Sequence, residues 1–254
     1  MEDNRGEDKL TLERIDKMKK YSIVVFVKDR GPRERIQVFL KSWGERFPDS
    51  EILVIDSSCS HIYRKMIAQT CKKFKAKYIY LKQPDFRWSK TAAHNLGIRE
   101  ANGKYIITTD IDAYPSLGIK DAMEGVVKRN KNRSLFYSRQ KFVREIGFKP
   151  YFENDLETIK KAINSEQTSN RTGAKGGLQL ASSSWFKKHP YKHRIGWGGM
   201  DRELIQRYSG LSLNIHSHDK IWIYHIAHPK YKKMDRTKFL KVRRREEDSL
   251  KNKR

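Results

Sequence analysis

Two cysteines in 254 residues, Cys59 and Cys71, are too few for a disulfide framework or a cysteine zinc site. Both are expected as free thiols in a reducing compartment. No apolar run approaches the ~20 residues that a bilayer-spanning helix needs. The first twenty residues set Glu2, Asp3, Glu7, Asp8, Glu13 and Asp16 against Arg5, Lys9, Arg14, Lys17, Lys19 and Lys20. They contain no apolar stretch that could act as a secretory signal, so the expected location is cytoplasmic. Internal repeats are missing too, which excludes repeat architectures.

Acid is scarce beside base: 30 Asp and Glu face 55 Lys and Arg, for a formal charge of +25 and a pI near 10.0. Such an excess suits a polyanion nearby, whether nucleic acid, an anionic membrane surface or an anionic glycan. A solvated lysine-rich surface would carry the same charge. No recognised DNA-binding motif accompanies it.

What is present is an alternation of strand-like and helix-like segments. Ser22–Val27 is a β-branched run suited to a central parallel strand, broken by Lys28-Asp29-Arg30-Gly31-Pro32. Ile36, Phe39, Leu40, Trp43 and Phe47 follow helical spacing. Strands are expected at 51–56 and 77–81, with a helix marked by Ile62, Met66, Ile67, Thr70 and Phe74 between them. Ser89 can cap a helix from Lys90 to Ala101, and Asn102-Gly103 stops it. The next strand runs from Lys104 into Asp110. This order predicts a mostly parallel sheet with helices on both faces. Beyond Pro115 the pattern loosens: a helix over 121–128, strands over 135–138, 178–186 and 221–225, and a helix over 201–208. The polar stretch 151–175 reads as a functional or mobile loop.

Asp110 and Asp112 stand two apart at the end of a strand and are closed by Pro115. On an extended backbone their side chains point the same way, past the strand's C-terminal end, where open α/β sheets bind ligands. Hard oxygen donors suit Mg²⁺ or Mn²⁺ bridged to a diphosphate; a turn with two solvated acids is the plainer reading of the pair alone. Four groups line up with them: Lys28-Asp29-Arg30; Trp88-Ser89-Lys90 with Asn95 and Gly97; Gly176-Gly177-Leu178 with Gly196-Trp197-Gly198-Gly199-Met200-Asp201; and His225-Ile226-Ala227-His228.

Taken together these motifs resemble GT-A-fold glycosyltransferases, close to the β-1,4-galactosyltransferase group and to family 2 enzymes such as the chondroitin polymerases. The similarity covers roughly Tyr21 to Pro229. The group's Phe-Arg-Asn-Arg matches Val27-Lys28-Asp29-Arg30 and its Phe-Asn-Arg matches Trp88-Ser89-Lys90. Its Asp-Val-Asp is Asp110-Ile111-Asp112, and its Gly-Trp-Gly-Gly-Glu-Asp is Gly196 to Asp201.

The resemblance implies a GT-A (Rossmann-like) α/β fold. It divides the chain into a charged lead-in (1–20), a nucleotide-sugar-binding half (21–115), an acceptor and catalytic half (116–229) and a basic tail (230–254). It further implies an inverting, metal-dependent hexosyl or N-acetylhexosaminyl transfer from a nucleotide-sugar, expected to be a UDP-sugar. Asp112, His228 and His225 would bind Mn²⁺ or Mg²⁺, with Asp110 contacting the ribose or a metal water. Lys28, Arg30 and Lys90 would hold phosphates and ribose, with Asp56 near the base. Trp197 and Gly198 would border the two sugars, and Asp201 would be the general base. Met200 replaces a glutamate that in the group holds acceptor hydroxyls, and Lys28 and Lys90 replace arginines, which removes bidentate geometry. For the acceptor, charge favours nucleic acid, for example a modified base in phage-type DNA flipped from its stack. A surface-glycan or teichoic-type enzyme docked on an anionic membrane and a basic polyanion-binding module without chemistry are the alternatives.

Overall fold

A computed structural model describes residues 19–28, 33–58, 60–84, 88–138, 140–143, 160–161, 168–172, 177–195, 199–215 and 222–226. β1 (Tyr21–Val27) is buried along its whole length, as a β-branched run without polar alternation requires. It is flanked in parallel by β2 (Glu51–Asp56) and β4 (Tyr105–Asp110), with Val25 opposite Val54 on one side and Thr109 on the other. β3 (Lys77–Tyr80) extends the sheet beyond β2. On the other side come β9 (Leu178–Ser182), β6 (Leu135–Ser138) and β10 (Ser212–Asn214), giving the order β10-β6-β9-β4-β1-β2-β3. β9 is antiparallel to both its neighbours, and the remaining pairs are parallel. The predicted mostly parallel α/β sheet is therefore present.

Alternate residues of β1 divide the core. Ile23, Val25 and Val27 pack with α1 (Arg33–Arg46), α2 (His61–Lys73) and α4 (Ile119–Arg129). Val24 and Phe26 face α3 (Lys90–Glu100), α5 (Ser183–Lys188) and α6 (Met200–Arg207). Burying each such aliphatic or aromatic side chain contributes about 1.5–3 kcal/mol. Gly97 lets α3 lie close on the sheet: a Cβ there would stand 2.3 Å from Val24 Cγ1.

A second sheet, in the order β5-β11-β7-β8, joins β5 (Ala113–Pro115), β11 (Ile223–His225), β7 (Gln140–Val143) and β8 (Thr168–Thr172). Its strands depart from the sequence expectations. The chain turns at Ile111 and Asp112 and becomes extended again, so Pro115 does not end the strand that carries Asp110. The proline is tolerated because β5 is an edge strand. β7, β10 and β8, the last of these inside the polar stretch 151–175, had no alternating pattern to announce them. The strand expected over 178–186 stops at Ser182, whose hydroxyl accepts from Trp185 N and caps α5. No helix among the described residues is long and apolar enough to cross a membrane.

Candidate active site

Three parallel strands end at one edge of the large sheet and carry Lys28, Asp56 and Asp110 there. The hydroxyl of Ser89 accepts from Ala92 N at 3.1 Å, so α3 starts with Lys90 in its first turn. Lys90 is 6 % exposed and its ammonium closes on Asp110 Oδ1 as a partly buried ion pair. Gln140 Nε2, from β7, reaches the other oxygen of Asp110 at 3.4 Å. Gly177 leaves room for that glutamine: a Cβ there would come 2.5 Å from Gln140 Cγ, and the Gly177 carbonyl accepts from Thr109 Oγ1 at 2.6 Å.

Asp112 lies in the turn itself and takes a different partner. It is 4 % exposed, and its Oδ2 stands 3.6 Å from His225 Nε2. The β5–β11 pairing brings them together: His225 is opposite Ala113, and Ile226 N donates to the Asp112 carbonyl at 2.9 Å. The two acids thus do not hang from one extended strand, as their spacing predicts. Asp110 ends a strand of the large sheet, whereas Asp112 sits in the turn that leads into the second.

Asp201 is the second residue of α6, entered through Gly199 at φ +75°, a left-handed conformation that favours glycine. Burial raises its carboxyl above the ordinary carboxylate range; Lys90 offsets this, and the charge of Asp110 adds to it. Burial alone would depress the Lys90 ammonium, but Asp110, Asp201 and Asp112 outweigh it and hold the pKa above the usual lysine value. These four groups therefore form one electrostatic unit. Behind them, Gln179 Nε2 donates to the Asp201 carbonyl at 3.3 Å, and the hydroxyl of Tyr191 donates to Gln179 Oε1. Thr108 Oγ1 lies 2.7 Å from that same hydroxyl.

Asp56 is fully buried, its oxygens accepting from Ser58 N at 2.7 Å and Tyr78 OH at 2.9 Å. Lys28 is 7 % exposed and donates to the Ser57 carbonyl at 3.4 Å. Met200 is 2 % exposed within the apolar layer under α6, so at this position the chain has a core side chain rather than a contact for a ligand. Arg30, Trp197, Gly198 and His228 lie outside the described residues.

The sequence reading missed Gln140, Gln179, Tyr191 and His94. His94 is 1 % exposed, its ring sits edge-on to Tyr191 at 5.8 Å, and its nitrogens meet no hydrogen-bond partner among the described residues. Burial and then the nearby Lys90 charge push its pKa well below the usual imidazole value, so it is neutral. Its one signal in sequence was a polar residue on the buried face of α3, between Ala93 and Gly97.

A divalent cation fits the Asp112–His225 pair. A carboxylate oxygen and an imidazole nitrogen are suitable donors for Mn²⁺, and 3.6 Å is a span that two bonds of about 2.0–2.2 Å can bridge. Among the described residues no three His, Cys, Asp or Glu side chains gather into a complete ligand set.

Residues 22–192 match the profile of a family described as Glycosyl transferase family 2. Among solved structures, the chain is similar to Staphylococcus aureus TarS 1–349 in complex with UDP-GlcNAc (15% identity, TM-score 0.56). That match covers 83% of this chain and 59% of the other. It is similar to the mannosyltransferase PcManGT of Pyrobaculum calidifontis, in complex with GDP-Man and Mn²⁺ (13%, TM-score 0.55, covering 85% and 59%). A third is glucosyl-3-phosphoglycerate synthase of Mycobacterium tuberculosis with phosphoglyceric acid (16%, TM-score 0.52, covering 90% and 79%). The chain spans about three fifths of the length of the first two. At these identities the likeness establishes a shared GT-A fold. No curated protein matches by sequence.

Proposed function

The chain belongs to glycosyl transferase family 2 and is a glycosyltransferase, and from that premise we propose that it moves a sugar from a nucleotide-sugar, a UDP-sugar in the first instance, to an acceptor hydroxyl with inversion. One observation carries the reading: the Lys90–Asp110 pair, the Asp112–His225 pair and Asp201 converge at the edge of the sheet where the parallel strands end. A nucleoside diphosphate leaves poorly unless its charge is matched. Lys90 and Lys28 supply fixed positive charge for it from α3 and β1. Asp112 and His225, with His228 beyond them in sequence, would hold a divalent cation whose charge adds to theirs on the leaving diphosphate.

Asp201 takes the proton of the acceptor hydroxyl as that oxygen attacks the anomeric carbon. The bond from that carbon to the diphosphate breaks on the opposite face, and the electron pair leaves with the diphosphate. Desolvation of Asp201 raises its pKa above the usual carboxylate value and so its basicity, which suits a general base expected to contribute ~10²–10⁴-fold. The charge of +25 supports an acidic polymer as acceptor, with nucleic acid the first choice.

The test is a panel of nucleotide-sugars, with and without Mn²⁺, scored by release of nucleoside diphosphate. Release from one donor, dependent on Mn²⁺ and lost in Asp201→Asn while UDP still binds, is the expected result. Turnover at the wild-type rate in Asp201→Asn would remove the assigned base. Release unchanged by chelation, or by Asp112→Asn with His225→Ala, would remove the metal assignment.

A further inference from the structure

The large sheet has a second pole, opposite the candidate active site, and it is not bare. A cavity of about 650 Å³ opens where β1, β4 and β6 begin and β9 ends. Its floor includes Tyr21 and Phe136, each 4 % exposed, while Tyr105 and Trp185 are partly accessible. Among the described residues four cations line it (Lys20, Lys128, Lys131 and Arg133) against one acid, Glu124. That acid is already occupied, since Lys20 Nζ lies 2.7 Å from Glu124 Oε1 and the Tyr21 hydroxyl donates to it at 3.2 Å. The positive charge on the outer wall, from exposed Lys128, Lys131 and Arg133, thus exceeds that of the acids among the described lining residues. A second concavity continues it, sharing those three cations and adding Arg129. The dipole of α4 accounts for basic residues in its last turn, Lys128 and Arg129. It does not account for Lys131 and Arg133, which lie past the helix end.

We propose that this pole is a second binding site, for a single strand of nucleic acid, with bases entering the aromatic cavity and phosphates following the Lys128–Lys131–Arg133 wall. Phosphates spaced along a chain of flat rings match cations beside the partly accessible rings of Tyr105 and Trp185. A neutral glycan would leave the charge of Lys128, Lys131 and Arg133 without a counterpart. A bilayer is flat and would meet a recess instead of a basic plane. The site stands apart from the proposed transfer chemistry, and a strand held there leaves the nucleotide-sugar edge open.

Fluorescence anisotropy of a labelled oligothymidylate with the full chain tests it. The wild type is expected to bind with steep salt dependence. Lys128→Glu with Lys131→Glu should weaken binding about tenfold or more, and the log–log salt slope should fall by about 0.7 for each phosphate that is no longer neutralised. Both side chains are exposed, so the fold and UDP affinity should be unchanged. The control reverses two exposed cations elsewhere, Lys65→Glu with Lys72→Glu on α2, and should cost less than threefold. Equal losses in both variants would mean diffuse charge and overturn the site. So would a wild type that ignores the oligonucleotide, or one that binds phosphatidylglycerol vesicles through Lys128 and Lys131 and oligonucleotide without them. Because binding is read without any donor, failure of the transferase reading and failure of this one are separate results.

Discussion

The ammonium of Lys90, in the first turn of α3, is closed on the carboxylate of Asp110 at the end of β4, twenty residues later in the chain. The pair links the two halves of the candidate site, because the same lysine senses Asp201 from α6 and Asp112 from the turn before β5.

Breaking that pair from one side should be costly. Lys90→Met leaves Asp110 beside a buried apolar group; removing one partner of a buried pair costs roughly 3–5 kcal/mol, and about half that is expected because Asp110 keeps a side-chain exposure of 26%. Lys90→Met with Asp110→Asn should recover part of the loss. Urea unfolding of the double variant and of each single one, Lys90→Met and Asp110→Asn, gives the coupling energy, and strict additivity would show that the pair contributes nothing.

Asp201 should set the acidic limb of kcat/KM. A base must be ionised, so activity rises with pH through its pKa, which burial places above the ordinary carboxylate range. Asp110→Asn removes a like charge and should move the limb to lower pH; Lys90→Met removes the opposing cation and should move it higher. Profiles of residual turnover check this, and a limb that stays fixed in both variants belongs to another group.

His94 should make the fold acid-sensitive. Its folded pKa is depressed, so between that value and the unfolded imidazole value of about 6.5 the unfolded chain binds the extra proton. Stability is therefore complete above about pH 6.5 and is lost as pH falls below it. His94→Phe should flatten that dependence in thermal melts between pH 5 and 7 without moving the acidic limb of kcat/KM.

Gly97→Ala tests the seating of α3. The added Cβ meets Val24 Cγ1 at 2.3 Å and Ile55 Cγ1 at 3.2 Å, both in the packed core. Overpacking of this kind costs about 1–3 kcal/mol, more than the ~1 kcal/mol that alanine gains over glycine in a helix. A drop in Tm is expected, with reduced turnover because Lys90 rides on the same helix. A rise in Tm would show that the sheet yields at that point.

The central strands were legible because burial on both faces demands continuous apolar runs, and Ile23–Val27 and Ile52–Ile55 are such runs. Ser89 was legible because capping is a local bond, made to a backbone amide three residues away. The acid pair was legible as a pair but not in its division of labour. Asp110 and Asp112 are neighbours in sequence, yet Lys90 and His225 claim them separately, and no spacing rule relates residue 112 to residue 225.

Chain chemistry alone settled the alternating α/β order, the mostly parallel sheet and the types of residue gathered at its strand ends, since these follow from periodicity and local hydrogen bonding. Folding in three dimensions decided the rest. It set the edge strand β5 against β11, placed Gln140 on Asp110, turned Met200 into the core and gathered aromatic and basic side chains into a cavity at the far pole. Those outcomes depend on contacts between residues tens to more than a hundred positions apart, where burial and charge act through space and leave no periodic trace along the chain.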